Sequence, residues 1–111
     1  MKAKQKKNAE ERREDILRPS KYLGYDRDFL GIYLFSRGAY KIAELQFRRA
    51  VWLNPFEPQF KQHLALCLYE EKRYAEAQKC ILEALEQEPQ NTKSKELLDR
   101  INKIIVTQPA K

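Results

Sequence analysis

The chain has 111 residues, 42% of them hydrophobic and 34% charged, with a formal net charge of +6 at pH 7. That length holds one small domain, and no apolar run approaches the ~20 residues that a membrane-spanning helix needs. The basic N-terminus lacks the apolar stretch of a secretory signal, so a cytoplasmic setting is expected.

The charge is uneven. Residues 1–22 hold eight Lys/Arg against four Asp/Glu, a net +4, while the rest hold fourteen against twelve. Residues 1–7 carry no apolar stripe and are expected to be disordered. A short helix is expected from Asn8 to Leu17, capped by Asn8 and stopped at Pro19. It is too short and too polar to stand alone, so it needs something to lie against.

Residues 23–106 are the folded part. A first helix is expected over Asp26–Ser36, with Asp26 as its cap. Gly31 interrupts it, and Ala43 is the expected close neighbour across the hairpin. Arg37-Gly38 makes a turn, with Gly38 left-handed. A second helix runs over Ala39–Asn54, and Asn54-Pro55 and Pro58 break the chain after it. A third spans Gln59–Glu71. The turn at Lys72-Arg73 has no glycine, so it is strained or Lys72 itself adopts the left-handed form. A fourth spans Tyr74–Glu88, closed by Pro89. A fifth, Thr92–Val106, carries Leu97, Leu98, Ile101, Ile104 and Ile105 in one stripe. Residues 107–111 form a C-terminal tail.

The first two helices and the next two are one pattern written twice. Leu30, Gly31, Leu34, Tyr40, Ala43, Phe47, Ala50 and Pro55 recur 34 residues later as Leu64, Ala65, Leu68, Tyr74, Ala77, Ile81, Ala84 and Pro89. A gapless period of this length marks a stacked helix-pair repeat. On these residues the chain resembles the tetratricopeptide repeat (TPR) family. The family's preferred aromatic is replaced by Arg27 and Lys61, beside Phe29 and Phe60. The resemblance implies an all-α fold of antiparallel helix pairs stacked as a short right-handed superhelix. Repeat 1 covers about 24–57, repeat 2 about 58–91, and a capping helix about 92–106.

The chain offers little chemistry. His63 is the one histidine, and no nucleophile, metal cluster or phosphate-binding loop accompanies it. It is expected to be structural. Cys67 and Cys80 match no zinc or redox spacing and are expected to pack as small apolar residues. No catalytic residue, metal ligand or cofactor site is therefore nominated, and a non-enzymatic role is expected.

Two surfaces remain. In tetratricopeptide folds the first helices of successive repeats line a concave groove. Here the resemblance implies Tyr25, Asp28, Ile32, Phe35, Gln59, Gln62, Leu66 and Tyr69, continued by Lys93, Glu96, Arg100 and Lys103. Asp28 and Ile32 stand where the family's carboxylate clamp uses Lys and Asn, so that mode is disfavoured. The second surface is the outward face of the second helix, with Ile42, Leu45, Arg49 and Trp52. The second copy has Glu76, Lys79, Glu83 and Glu86 at those places, as a solvated face should. Three occupants of the apolar version stay open: the Asn8–Leu17 helix, a second copy of the chain, or another protein.

These features point to a non-catalytic protein–protein interaction module, a scaffold, adaptor or chaperone-like protein that binds a peptide or a partner helix. Homodimerisation through the outer face of repeat 1 is the second partner reading. Binding of nucleic acid or an anionic surface by the basic N-terminal tail is the alternative of a different class, and it has no recognisable nucleic-acid motif behind it.

Overall fold

The computed structural model describes residues 22–107. The expected Asn8–Leu17 helix, the basic arm and the last four residues lie outside that range. Among the described residues there are five helices and no strand: α1 (Tyr25–Ser36), α2 (Tyr40–Leu53), α3 (Pro58–Glu70), α4 (Tyr74–Gln87) and α5 (Thr92–Thr107). Each helix packs on the next in sequence, and α3 also touches α1 and α5. The result is the helical-repeat stack that the period of 34 implies.

The two hairpin turns are chemically different but geometrically alike. Gly38 has φ +80° and Lys72 has φ +63°. The Ala39 amide donates to the Leu34 carbonyl, and the Arg73 amide to that of Leu68, both at 2.9 Å. The same capping bond therefore closes both first helices. Lysine adopts the left-handed form there at a cost of roughly 1–2 kcal/mol that glycine avoids.

Two helix starts differ from expectation. Asp26 is not the cap of α1: Gly24 is, at φ +91°, with no side-chain hydrogen bond. The Asp28 amide bonds back to the Gly24 carbonyl at 2.9 Å, so the first turn closes before Asp26 can cap it. A Cβ on Gly24 would stand 2.8 Å from the Phe60 ring and 2.9 Å from the Ala50 carbonyl, which also favours glycine. Pro58 does not break the chain but opens α3. Its missing N–H costs nothing in a first turn, and the Glu57 carboxylate caps the helix by accepting from the Gln59 amide at 3.2 Å.

One continuous core runs through both hairpins into α5, including Phe47, Leu64, Leu68, Ile81, Leu97 and Ile101. Cys67 is buried in it and donates to the Tyr40 carbonyl at 3.1 Å. Burial, then the nearby Glu71 and Glu44 charges, push its thiol up to about 12, so it packs rather than reacts. Cys80 is half-buried against the same core, and burial raises its thiol as well. On α5 the apolar stripe outruns the surface it covers: Leu97 and Ile101 are buried, but Ile105 stays exposed.

Gly31 faces the Phe47 ring across the hairpin. A Cβ there would lie 2.5 Å from the Phe47 ring, and that ring is sealed in the core. In repeat 2 the same two places hold Ala65 and Ile81, both fully buried. The larger residue on one helix is thus matched by the smaller on the other.

The joint between hairpins is polar on its outer side. Glu44 is buried and accepts from Arg48 Nε at 2.7 Å and from Arg73 Nη1 at 2.5 Å. Arg73 also bonds Glu76 at 2.5 Å, and Arg48 reaches Glu76 at 3.3 Å. Burial works to raise the Glu44 carboxyl. Hydrogen bonds from Arg48 and Glu71, with the Arg48 and Arg73 charges, outweigh it and hold the group below the usual range. Glu71 goes the other way: burial first, then the adjoining Glu44 carboxylate, push it up. Its buried Oε2 has no hydrogen-bond partner, and Arg73 stands 3.6 Å away.

Two predictions follow from this packing. Gly31→Ala should lose about 1–2 kcal/mol in urea unfolding, since overpacking outweighs the helix propensity gained. Gly31→Ala with Phe47→Ile should lose at least ~1 kcal/mol less than the two single losses added. A group with a raised folded-state pKa stabilises below its unfolded value and loses that contribution as pH rises through the folded value. Glu71 is such a group, so Glu71→Gln should raise stability at pH 7, and the gain should shrink as pH falls toward 4. Glu44 has the opposite sign, and its contribution should fade as pH falls through its lowered folded value. Urea midpoints from pH 7 to 4 check Glu71, and their continuation down to about pH 2 checks Glu44.

Candidate binding groove

The face built by α1, α3 and α5 carries two adjoining depressions. The first, about 190 Å³, is apolar: Ile32 and Phe35 of α1 and Leu66 of α3 wall it, with Phe47 and His63. The second, about 270 Å³, lies between α3 and α5. Gln59 and Gln62 line one side, and Lys93, Glu96 and Arg100 the other. His63 and Leu66 belong to both, which makes the two halves one groove with an apolar and a polar end.

Helical spacing explains the lining. Gln59, Gln62, His63 and Leu66 recur at intervals of three and four, so α3 presents them on one face. Gly31 lets α2 approach closely enough for the Phe47 ring to reach the groove floor. On its other side that ring lies 5.8 Å from the His63 ring, tilted by 45°. His63 Nδ1 lies 2.8 Å from Asp28 Oδ1, and Asp28 is only 4% exposed. That pair joins α1 to α3 and holds the imidazole in place.

Of the residues expected in the groove, Ile32, Phe35, Gln59, Gln62 and Leu66 come together there. Asp28 is present but buried under His63. Tyr25 is taken up elsewhere. Its hydroxyl bonds the Glu57 carboxylate, and its ring meets Phe60 edge-on at 4.8 Å. That hydrogen bond, then burial, raises the Tyr25 phenol. Tyr69 packs edge-on against Tyr74 at 5.8 Å, and the equivalent Phe35 against Tyr40 at 5.1 Å. Of the two, Phe35 lines the apolar depression. His63 and Phe47 were read from sequence as structural only. The i, i+4 relation of His63 to Gln59 was the available signal for the first.

The outward face of α2 is exposed: Ile42, Leu45 and Trp52 are 53%, 64% and 72% accessible. The Arg49 guanidinium stacks 5.1 Å over the Trp52 ring. The equivalent residues of α4 divide in two. Glu76 turns back to Arg48 of repeat 1, and Glu83 to Lys61 at 3.8 Å. Lys79 and Glu86 stay exposed, without such links among the described residues. By the same register Ile42 lies toward the open end of the stack, Arg49 toward α1 of its own hairpin, and Leu45 and Trp52 stand exposed on the outer ridge.

Among the described residues no group of three His, Cys, Asp or Glu side chains is placed to hold a metal ion. No described helix is long and apolar enough to cross a membrane.

A family model for the tetratricopeptide repeat matches residues 58–91. Comparison with curated protein sequences gives no match. One solved structure similar to this chain is the first TPR of Spaghetti (RPAP3) bound to the HSP90 peptide SRMEEVD. Sequence identity is 16% and the TM-score 0.49, and the likeness covers 79% of this chain and 97% of that one.

Proposed function

We propose, on the premise that residues 58–91 are a tetratricopeptide repeat, that this chain is a non-catalytic protein–protein interaction module. It takes a peptide or partner helix in the groove across α1, α3 and α5. The observation that carries this reading is the groove's two-part chemistry: an apolar socket beside amides and a charged wall of Lys93, Glu96 and Arg100. An apolar anchor side chain would enter between Ile32, Phe35 and Leu66. The partner backbone would meet Gln59 and Gln62, and an acidic residue would sit near Lys93 and Arg100.

The floor also argues for an internal segment over a free C-terminus. The apolar end is lined by Ile32, Phe35, Phe47, His63 and Leu66, with no Lys or Arg among them to hold a terminal carboxylate. Scaffold, adaptor or chaperone-like roles all fit such a groove. Two free thiols, Cys67 and Cys80, suit a reducing, cytoplasmic compartment. The outer ridge of Leu45 and Trp52 is a second contact surface in this reading, because Trp beside Arg is the composition of binding hot spots.

The test is an array of 15-residue peptides with one Leu, Met or Phe anchor, with and without an acidic neighbour, probed by fluorescence polarisation. Anchor-plus-acid peptides should bind best. Leu66→Glu and Ile32→Glu should each weaken that binding at least ~10-fold, since burying one aliphatic side chain is worth about 1.5–3 kcal/mol. Both positions are exposed, so helicity should not change. No binding by any peptide, or equal binding to Leu66→Glu, rejects the groove as the site.

A further inference from the structure

The internal register shows what the open end of the stack lacks. Where repeat 2 meets repeat 1, the His63 ring faces Phe47, Cys67 bonds the Tyr40 carbonyl, Glu76 reaches Arg48, and Leu64 is 3% exposed. Thirty-four residues earlier these places hold Phe29, Tyr33, Ile42 and Leu30. Phe29 is 72% exposed, Tyr33 60% and Leu30 41%. Four large apolar side chains thus stand where α2 would lie if another repeat preceded. The charges are anomalous as well. Lys61 bridges Glu83 in repeat 2, but both counterparts in repeat 1, Arg27 and Arg49, are cations. Among the described residues neither pairs with a carboxylate.

We propose that residues 6–18 of this chain form a helix that docks on this edge and acts as the missing second helix of a preceding half-repeat. The register places the counterpart of α2 at residues 6–19. Within it Ala9 matches Ala43, Ile16 matches Ala50 and Leu17 matches Val51, three positions that are buried or half-buried in α2. Arg13 matches Phe47 and would lay its guanidinium on the Phe29 ring. Glu10, Glu11, Glu14 and Asp15 offer acids to Arg27 and Arg49, among the segment's own Lys6, Lys7, Arg12, Arg13 and Arg18. Pro19 ends the helix, and residues 20–23 match the four-residue linker between α2 and α3.

The described residues hold two hairpins and a cap, and such stacks are built of about three units. Adding a second-type helix at one end and α5 at the other gives three complete interfaces between a second helix and the following first helix. A second copy fits the edge less well. A two-fold contact sets the same patch against itself, and so would double the unpaired Arg27 and Arg49 charge.

The test uses the full chain, with hydrogen exchange by mass spectrometry and sedimentation at several concentrations. The chain should be monomeric, and amides of residues 9–17 should exchange at least about tenfold more slowly than in an unstructured chain. Ile16→Asp with Leu17→Asp should abolish that protection. So should Tyr33→Asp, a change on the edge itself. In both variants the amides of Phe60, Ile81 and Ile101 should keep theirs, which separates undocking from unfolding. Unstructured exchange over 9–17 in the unmodified chain overturns the proposal, as does protection that survives both variants. A mass that rises with concentration, with the α1 amides of residues 28–33 gaining further protection in the associated form, assigns the edge to a second copy instead.

Discussion

One aromatic ring ties this structure together. Phe47 fills the space that the absent side chain of Gly31 leaves open, and so sets the distance between α1 and α2. Its other side lies by the His63 ring, and so helps set how α3 stacks on the first hairpin. It also lines the apolar end of the groove. Because packed interiors tolerate little change in volume, hairpin spacing, repeat stacking and groove depth are coupled through this side chain. Repeat 2 solves the first of these tasks with Ala65 and Ile81. The pairing of small with large is therefore kept while the sizes change.

Around that ring the stack uses two kinds of joint. On the groove side the connection is the buried Asp28–His63 pair, which places polar atoms beneath an apolar socket. On the outer side it is the Glu44, Arg48, Arg73 and Glu76 network. A buried carboxylate with two guanidinium partners is satisfied, whereas the adjoining Glu71 is crowded by it. The joint thus contains one acid that gains from being ionised and one that loses. That is how two adjoining carboxylates behave when one of them takes the close guanidinium bonds and the other is left with the longer ion pairs, Arg73 at 3.6 Å and Lys41 at 4.0 Å.

Much of the fold was legible in the residues. The eight matched positions give helix number and pairing, because small, large and proline residues at a period of 34 leave few other ways to bury one face. Of the two readings open for the Lys72 turn, strain or a left-handed lysine, the structure has the left-handed form, at the position of Gly38. Local signals failed where a distant group intervened. Asp26 is a good cap residue in isolation, but Gly24, pressed on Phe60 and Ala50, closes α1 first. Tyr25 has the right spacing for the groove, but Glu57, 32 residues away, claims its hydroxyl.

The sequence by itself determined the repeat, the five helices and the face of α3 that carries Gln59, Gln62 and Leu66. Those follow from periodicity, which is a property of neighbours along the chain. The partners across the fold were decided only by the tertiary structure: Gly31 with Phe47, Asp28 with His63, Glu44 with Arg73. Each joins residues from different parts of the fold, and no helical period relates them. Their choice depends on helix separation, which the close approach at Gly31 sets in the first hairpin and Ala65 sets in the second.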